Sequence, residues 1–282
     1  MNGRRRFAVM THSRPEETSD ALRELAAVAG GAGADLVVDH EEASKHRLDP
    51  ATGLLVEDDI TDVELCVVLG GDGTILRALR RFGPDVPVVA VNFGEIGFLA
   101  TLDRDGVDEA FRRACAHDFE LLRLPGLEFD APAGPQLALN DVSFHRRLGE
   151  RVAELAYTID GEEVGCVRCD GLVVATPAGS TGYNLANGGP ILAWGVEGFV
   201  VSFIAPHTLT ARALVAAPGD VITISNRSRA PIQTGADGRP VGLLAPGESV
   251  EARFRKHAGT LAQLPGSSFY RRLRAKFGAF SR

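Results

Sequence analysis

Three glycines surround a single carboxylate in residues 70–73, which read GGDG. The preceding residues 65–69 are apolar and rich in strand formers, and helix-compatible residues follow from Thr74. A buried strand that leads through a tight glycine turn into a helix directs backbone N–H groups towards an anion. The spacing leaves two interpretations open: a phosphate site with an acid at its centre, or a plain connection between strand and helix.

Two better-known phosphate motifs do not fit this turn. The GxxxxGK[ST] spacing of a Walker loop and its lysine are absent. Leu76 stands where the dinucleotide fingerprint needs its third glycine. A phosphate site at this turn must therefore be of another type.

Polar residues break the apolar pattern again in the second half of the chain. Asn140 and Asp141 stand between the apolar residues 137–139 and Val142. Such a pair is typical of a bulge or turn, or of groups that bind hydroxyls and a base in a cleft. Residues 175–190 combine a strand end, a turn of small residues and a helix start. Small residues let a ligand approach the backbone, and helix-start N–H groups suit an anion.

The composition is that of an ordinary globular chain of 282 residues with a net charge of −7. This charge argues against a nucleic-acid partner. No window approaches about 18 consecutive apolar residues, and no apolar stretch follows the basic residues 4–6, so neither a membrane span nor a signal peptide is expected. We therefore expect a cytoplasmic protein. Because only Lys45, Lys256 and Lys276 are lysines, backbone, arginine or metal must bind any phosphate.

Four cysteines, Cys66, Cys115, Cys166 and Cys169, are too few and too scattered for a disulfide scaffold. Residues 166–169 form a lone CxxC, with no second pair and no histidine at ligand spacing. The pattern favours buried, unreactive thiols over a zinc site or a redox pair.

The elements that must position the polar groups change in type near residue 119. Before it, strands are expected at 7–10, 36–38, 65–69 and 87–92, alternating with helices, which is typical of a parallel α/β sheet. Ligands bind at the carboxyl ends of such strands, where both the GGDG turn and Asn92 would lie.

After residue 119, short alternating segments and Asp-Gly and Pro-Gly turns predict a mainly antiparallel β domain. Its strands are expected at 121–129, 137–144, 152–159, 172–176, 199–204 and 221–224, and its clearest helix at 180–187. The basic tail 267–277 has apolar residues at every fourth position. We expect it to dock on a domain face, with a membrane surface as the alternative.

Several of these segments together resemble the NAD kinase family. The segments are residues 69–74 (LGGDGT), 140–141 (ND), 170–172 (DGL), 176–183 (TPAGSTGY), 188–190 (GGP), 206–209 (PHTL) with Arg212, and 237–238 (DG). They occur in the right order and cover nearly the whole chain. GGDGT alone is shared with lipid kinases, whereas its combination with the Asn-Asp pair and TPAGSTGY is specific.

The resemblance implies phosphoryl transfer from ATP, or from inorganic polyphosphate in some members, to the 2′-hydroxyl of the adenosine ribose of NAD, giving NADP. It implies a Rossmann-like N-terminal α/β domain, a C-terminal β-sandwich and a last helix that returns to the first domain. The expected domains are residues 1–118 with 265–282, and residues 119–264. It also implies Mg²⁺, for which no ligand set is readable in the sequence, and a homodimer or homotetramer.

The resemblance also assigns roles to single residues. Asp72 corresponds to the catalytic acid of the glycine-rich motif, and a carboxylate in reach of a ribose hydroxyl can accept its proton. The residues expected to bind substrate or nucleotide are Gly71, Gly73, Thr74, Asn92, Asn140, Asp141, Asp170, Thr181, Gly182, Tyr183 and Ala186. Residues 92–99 fit the family's N-x-G…GFL pattern, and Glu95 within them is interpreted as a solvated loop acid.

Two positions depart from the family pattern. Gly182 stands where many members have alanine, which leaves open the preference between NAD and NADH. Ala213 follows Arg212 where proline is usual. Two alternatives remain at this point: a lipid kinase with the same glycine turn, and a nucleotide-binding sensor that has lost turnover.

Overall fold

The computed structural model describes residues 4–49, 52–94, 97–100, 102–131 and 134–278. Glu95 lies outside the described residues. The chain divides into two compact units, residues 1–123 with 259–282, and residues 124–258.

The first unit contains a parallel sheet. Its strands are β1 (Arg5–Thr11), β2 (Ala34–Val38), β3 (Leu54–Val56), β4 (Leu65–Leu69) and β5 (Val88–Val91). They are arranged in the order β3-β2-β1-β4-β5, the strand order of a Rossmann-like half. The last residues of a later strand also pair with β5, at Leu261 and Val88.

Helices cover both faces of this sheet, which explains why β4 is buried along its whole length. The helices are α1 (Ser19–Gly31), α2 (His40–His46) and α3 (Asp72–Phe82) between the strands, and α4 (Val107–Ala116) after β5. Helices α1 and α4 share one hydrophobic cluster with alternate residues of the strands. Helix α3 packs against β4 and β5 outside that cluster.

Two elements of this unit were not expected, because neither shows a periodic apolar pattern. Helix α2 buries a single charged residue, Glu42, and begins where the Asp39 side chain accepts a hydrogen bond from Glu42 N at 2.7 Å. Strand β3 has three residues, of which only Leu54 is buried. Neither shows the periodicity on which sequence interpretation depends.

The second unit consists of antiparallel strands in two sheets. The strands, with the one helix between them, are β6 (Glu120–Ala131), β7 (Gly134–Ala138), β8 (Asp141–Arg146), β9 (Ala153–Ile159), β10 (Glu162–Cys169), β11 (Gly171–Ala175), α5 (Tyr183–Ala186), β12 (Phe199–Ile204), β13 (Leu214–Ala216), β14 (Val221–Asn226), β15 (Ile232–Ala236), β16 (Arg239–Leu244) and β17 (Ser249–Gln263). One sheet has the order β13-β12-β11-β8-β15-β16, and the other joins β10, β9, β14 and β17, with β6 on β17 and β7 on β6.

One hydrophobic cluster takes residues from both sheets of this unit, among them Phe144 of β8, Phe199 of β12 and Ile222 of β14. The two sheets therefore enclose a core as in a β-sandwich. Strand β11 is also buried on its other face, where Val173 and Ala175 pack with Tyr183. The segment before and within α5 therefore covers the six-stranded sheet.

Two expected elements are interrupted. The helix expected at 180–187 consists of a 3-10 turn, Gly179–Thr181, and the one-turn α5, because the backbone of Gly182 is not helical. The strand expected at 137–144 is two strands, β7 and β8, separated by a bend at 139–140. Strands β10, β13, β15, β16 and β17 were not expected, since most of them carry exposed polar residues or are short.

The tail forms helix α6 (Phe269–Phe277), which belongs to the first unit. Phe269 is buried, and its ring lies 5.8 Å from that of Phe98. The prediction that the tail docks on a domain face is confirmed, as is the fold class of an α/β domain plus a β-sandwich. Within the described residues, no helix is long and apolar enough to cross a membrane.

The expectation of buried thiols is wrong for Cys166, which is exposed, and only partly right for Cys115, which is half-buried. Cys166 and Cys169 both lie on β10, and side chains three residues apart on a strand point to opposite faces. The CxxC spacing therefore cannot present both thiols to one metal ion here.

Candidate active site

The GGDG turn follows β4 and touches the end of β5. Gly70 N donates to Val91 O at 3.0 Å, and an added Cβ at Gly94 would lie 3.1 Å from the Cα of Gly71. The two backbones are therefore in direct contact, which leaves no space for side chains. The loop after β5 begins at Asn92. Its Oδ1 accepts a hydrogen bond from Gly94 N at 3.1 Å, which stabilises the turn of this loop.

A cavity of about 260 Å³ lies at the start of α3. Its lining includes His12, Gly71, Gly73, Thr74 and Arg77. The first N–H groups of a helix have no acceptor within the helix, and the helix dipole places partial positive charge there. An added Cβ at Gly73 would meet nothing within 4 Å, so the backbone is open to a ligand. These features suit a phosphate.

Arg77 supplies the cationic side of this cavity. Its Nε is buried and has no hydrogen-bond partner among the described residues. Its Nη2 donates to Thr11 O and to Glu42 Oε1, both at 3.1 Å. Two hydrogen bonds therefore hold Nη2 in place, while the Nε–H has no acceptor among the described residues. A buried donor without an acceptor costs free energy unless a ligand accepts from it.

Glu42, which holds Arg77, is the centre of a buried polar cluster. Its carboxylate accepts from Thr11 Oγ1 at 2.7 Å and lies 2.6 Å from Lys45 Nζ. His46 lies beside it with its Nε2 at 2.7 Å from Thr11 Oγ1, and burial lowers the pKa of this histidine. The cluster fixes the rotamer of Arg77, which favours a preorganised anion site.

Asp72 is the first residue of α3 and points away from the helix axis to the segment after β5. Its Oδ2 accepts from Phe98 N at 2.7 Å and its Oδ1 from Leu99 N at 3.0 Å. An added Cβ on Gly97 would collide with this carboxylate. Each oxygen keeps a second lone pair, so the group can still accept a proton from a hydroxyl.

In the second unit, a cavity of about 450 Å³ lies along β8, with Asn140, Asp141, His145 and Tyr183 in its lining. Asn140 Oδ1 is buried, and no residue in the described part of the chain forms a hydrogen bond with it. A buried unpaired acceptor of this kind is satisfied by a ligand N–H or O–H. Asn140 lies in the bend before β8, Asp141 is the first residue of β8, and both line this cavity. Their binding of hydroxyls or a base stays a prediction.

The backbone of this turn is held by Asp237. The Asp237 carboxylate accepts from the N–H groups of Leu139, Asn140 and Asp141 at 3.2, 2.7 and 3.3 Å. Asp237 has a positive φ of 46° and Gly238 one of 75°, as expected for a tight hairpin between β15 and β16. Asp237 therefore positions Asn140 in addition to forming a turn.

The TPAGSTGY segment supports the turn from the other side. Thr176 N donates to Asn140 O at 2.9 Å, and Thr176 Oγ1 donates to Leu139 O at 2.7 Å. An added Cβ on Gly179 would collide with the carbonyl of Asn140, so this position accepts only glycine. The small residues of the segment therefore serve a close backbone approach.

Asp141, Ser143 and His145 lie on one face of β8, because side chains alternate along a strand. The Tyr183 ring stacks on His145, with centroids 5.3 Å apart and planes 13° apart. Burial lowers the pKa of His145, which keeps the imidazole neutral at pH 7. The paired rings form a flat surface on which a ligand ring can stack.

The pKa of the Asp141 carboxyl in this cavity lies well above its ordinary value. Burial, with a further contribution from the nearby Asp237 charge, raises the pKa of Asp141 to about 7. Between about pH 3.8 and pH 7, the Asp141 carboxyl therefore keeps a proton in the folded protein that it has lost in the unfolded chain. The contribution of this group to the free energy of unfolding falls as pH rises through that window.

Asp141→Asn removes this titration. Relative to wild type, we expect the free energy of unfolding of the variant to rise between about pH 4 and pH 8 by at most about 4 kcal/mol, since one pKa unit corresponds to about 1.4 kcal/mol. Urea unfolding at a series of pH values measures the difference. Asp130→Asn, at an exposed position of β6, is the control and should run parallel to wild type. Parallel curves for Asp141→Asn would show that this carboxyl is ionised at pH 4 to 8 without cost.

Not every expected residue lines a cavity. Gly182 and Tyr183 do, whereas Thr181 donates its hydroxyl to Ala178 O within its own turn and Ala186 is exposed on α5. Asp170 is paired with Arg146, with Arg146 Nε 2.5 Å from Asp170 Oδ1. This ion pair lowers the pKa of Asp170, and the charge of Asp170 contributes to the raised pKa of Tyr183, after burial and Asp141. The roles of Thr181, Ala186 and Asp170 stay predictions.

Several lining residues were not singled out from the sequence, among them His12, Arg77 and His145. His145 could have been found, because it continues the two-residue alternation of Asp141 and Ser143. Arg77 lies between apolar helix positions as any solvated arginine does, and His12 follows β1 without a motif. Arg77 and His12 reach the cavity at the start of α3 only through contacts between segments that are distant in sequence.

Comparison with known proteins identifies both halves of the chain. Residues 11–119 match the family model of the ATP-NAD kinase N-terminal domain, and residues 139–258 match that of the ATP-NAD kinase C-terminal domain. The second match lies entirely outside the glycine turn that lipid kinases share.

Curated relatives of the chain include NAD kinases along most of its length. An NAD kinase of Rhodopirellula baltica is 36% identical over 227 residues, which cover 77% of this chain and 72% of the relative. One of Bifidobacterium longum subsp. infantis is 33% identical over 287 aligned positions, covering 97% of this chain and 82% of the relative.

Two solved structures show the same fold. The crystal structure of yeast NADH kinase complexed with NADH has a TM-score of 0.89 at 24% identity, covering 100% of this chain and 90% of the other. An NAD kinase from Archaeoglobus fulgidus in complex with ATP has a TM-score of 0.71 at 24% identity, covering 97% of each chain. With two matching domain models and close relatives along most of its length, the chain belongs to the NAD kinase family.

Proposed function

We propose that the protein phosphorylates the 2′-hydroxyl of the adenosine ribose of NAD, with ATP as donor, to give NADP. The observation that carries the proposal is the carboxylate of Asp72 beside a helix N-terminus open to phosphate, in a chain of the NAD kinase family. Curated relatives with the printed name NAD kinase support it.

The acceptor in this reaction is a poor nucleophile, because a ribose hydroxyl keeps its proton at neutral pH. We assign Asp72 as the group that accepts this proton and orients the oxygen. Its two backbone donors, Phe98 N and Leu99 N, hold the carboxylate in one orientation. A positioned general base contributes about 10²–10⁴-fold to a rate.

The donor phosphates require neutralisation and positioning, which provide most of the rate in phosphoryl transfer. We assign this role to the cavity at the start of α3. Gly71 and Gly73 offer backbone N–H groups, and Arg77 offers its Nε, while Thr74 lines the cavity with its own N–H bonded to Gly71 O at 2.9 Å. Preorganised donors of this kind act without reorganisation during the reaction.

We assign the cavity along β8 to the dinucleotide. The unpaired Asn140 Oδ1 can accept from an amine or hydroxyl of the adenosine. Asp141, with a pKa of about 7, can both donate and accept near neutral pH. The stacked Tyr183 and His145 rings suit an aromatic base.

Mg²⁺ is proposed to arrive with the donor. Among the described residues, no group of three or more His, Cys, Asp or Glu side chains is arranged to hold a metal. Mg²⁺ in kinase sites keeps several waters and binds through one or two carboxylates plus the substrate phosphates, so it does not require such a group. When bound, the ion would neutralise phosphate charge.

Arg77→Ala tests the phosphate assignment. We expect the KM for ATP to rise about 10- to 100-fold, because a charge-assisted hydrogen bond contributes about 1.5–3 kcal/mol. The KM for NAD should change little. Arg81→Ala, one turn further along α3 and paired with Asp39, is the matched control. Equal changes in both variants, or a rise confined to the KM for NAD, would contradict the assignment.

Initial rates with NAD and NADH as acceptors, and with ATP and polyphosphate as donors, test the reaction itself. We expect NADP from NAD, ATP and Mg²⁺. Binding of NAD without product would instead indicate a sensor.

A homodimer or homotetramer and a cytoplasmic location are also proposed from family membership, with sedimentation velocity as the test of the oligomer.

A further inference from the structure

The segment after β5 has no regular secondary structure at residues 97–100, yet it holds Asp72. Both carboxylate oxygens of Asp72 accept backbone N–H groups from this segment, those of Phe98 and Leu99. The orientation of Asp72 therefore depends on what fixes two peptide units of a loop.

Helix α6 supplies that support from the other end of the sequence. Arg272 Nη1 donates to Phe98 O at 2.9 Å and to Ala100 O at 2.6 Å. These carbonyls alternate along the chain with the two N–H groups that face Asp72. One guanidinium thus holds the peptide unit between residues 98 and 99 by its carbonyl, while the N–H of the same unit, that of Leu99, is bound to Asp72.

Apolar contacts reinforce the same junction. The Phe98 ring lies 5.8 Å from the Phe269 ring and 6.0 Å from the Phe277 ring, and Lys276 Nζ lies 4.3 Å from its centroid. Phe98 is therefore enclosed by α6 on one side, while its N–H faces Asp72.

Arg272 is unlike the other arginines of α6. Arg271 and Arg274 are exposed, whereas Arg272 is largely withdrawn from solvent, and burial lowers its pKa in spite of the nearby Asp72 charge. A helix that only docked through its aromatic residues would not need a withdrawn cation. The two carbonyls and the Asp72 charge explain its place.

We propose that Arg272 is a positioning residue for phosphoryl transfer, which orients Asp72 through the backbone of residues 98–100. The inference rests on the proposed function in one respect, the role of Asp72 as base. Arg272 Nη1 donates to the carbonyls of Phe98 and Ala100, so it acts on Asp72 through the backbone that it binds, in addition to the attraction between the two charges.

Arg272→Ala should lower kcat by about 10- to 100-fold with the KM for NAD within about threefold of wild type, since misplacing a reacting group by about 1 Å costs about that much. Arg272→Lys keeps a donor and should restore part of the loss. Arg274→Ala, on the exposed side of the same helix, should match wild type. A wild-type kcat in Arg272→Ala would overturn the proposal.

A double-mutant cycle separates positioning from a general loss of structure. In an Asp72→Asn background, Arg272→Ala should cost less than about threefold more, because residues that act through one group are not additive. Losses that multiply in full would show that Arg272 acts independently of Asp72, and the proposal would fail.

Hydrogen exchange of the 97–100 peptide gives a readout that needs no activity. We expect faster exchange in Arg272→Ala than in wild type and in Arg274→Ala. If wild type makes no NADP, the proposed function fails while this result still tests the support of the loop. If wild type makes NADP and exchange is unchanged in Arg272→Ala, only the positioning proposal fails.

Discussion

Replacing Asp72 with asparagine is expected to lower kcat for NADP formation by about 10²–10⁴-fold, the usual contribution of a general base. Asparagine has nearly the same shape, and its oxygen can keep one of the two bonds from Phe98 N and Leu99 N. It cannot accept a proton. The dissociation constant for NAD, measured by calorimetry, should therefore stay within about threefold of wild type while turnover falls.

The control for this variant is Asp20→Asn. Asp20 also lies in the first turn of a helix, α1, and its carboxylate is exposed, so the substitution removes the same charge without touching a cavity. We expect wild-type turnover. Near-wild-type turnover in Asp72→Asn would remove Asp72 from the role of base, whereas a large loss of NAD affinity would assign it to binding.

Adding one methyl group at Gly179 is expected to raise the dissociation constant for NAD by 100-fold or more, since a backbone shift of about 1 Å at a binding group costs about that much. The new Cβ would overlap the carbonyl of Asn140, which is backbone and cannot rotate away. Asn140 carries the unpaired Oδ1 of the cavity, so its displacement disrupts the proposed adenosine contact.

Gly219→Ala is the matched control, in the turn before β14 of the same unit. Its added Cβ would meet nothing within 4 Å, and the position lines neither cavity. We expect NAD affinity close to wild type in this variant and an unchanged melting temperature. If Gly179→Ala binds NAD as well as Gly219→Ala, the turn at residue 140 does not form the dinucleotide site.

The sequence predicted the local parts of these sites well. Residues 65–76 showed a strand, a glycine turn and a helix start, and each of these is formed by neighbours in sequence. The cleft at Asn140 was visible as a polar break in an apolar pattern. The fold class followed from the change in rhythm near residue 119 and from the family resemblance.

The parts that could not be predicted depend on contacts between distant segments. Asp237 was recognised as a turn residue, but its three bonds to residues 139–141 arise only when β15 pairs with β8. Arg77 gains its role from Glu42, in a helix with no apolar stripe. The pKa of Asp141 depends on burial, which the sequence does not show.

The phosphorus NMR spectrum of the product tests the central claim most directly. Purified protein is incubated with NAD, ATP and Mg²⁺, with diacylglycerol vesicles in a parallel sample. We expect a new phosphomonoester at the 2′ position of the adenosine ribose, formed by wild type and nearly absent with Asp72→Asn. A phosphorylated lipid, or tight NAD binding with no new phosphomonoester, would contradict it.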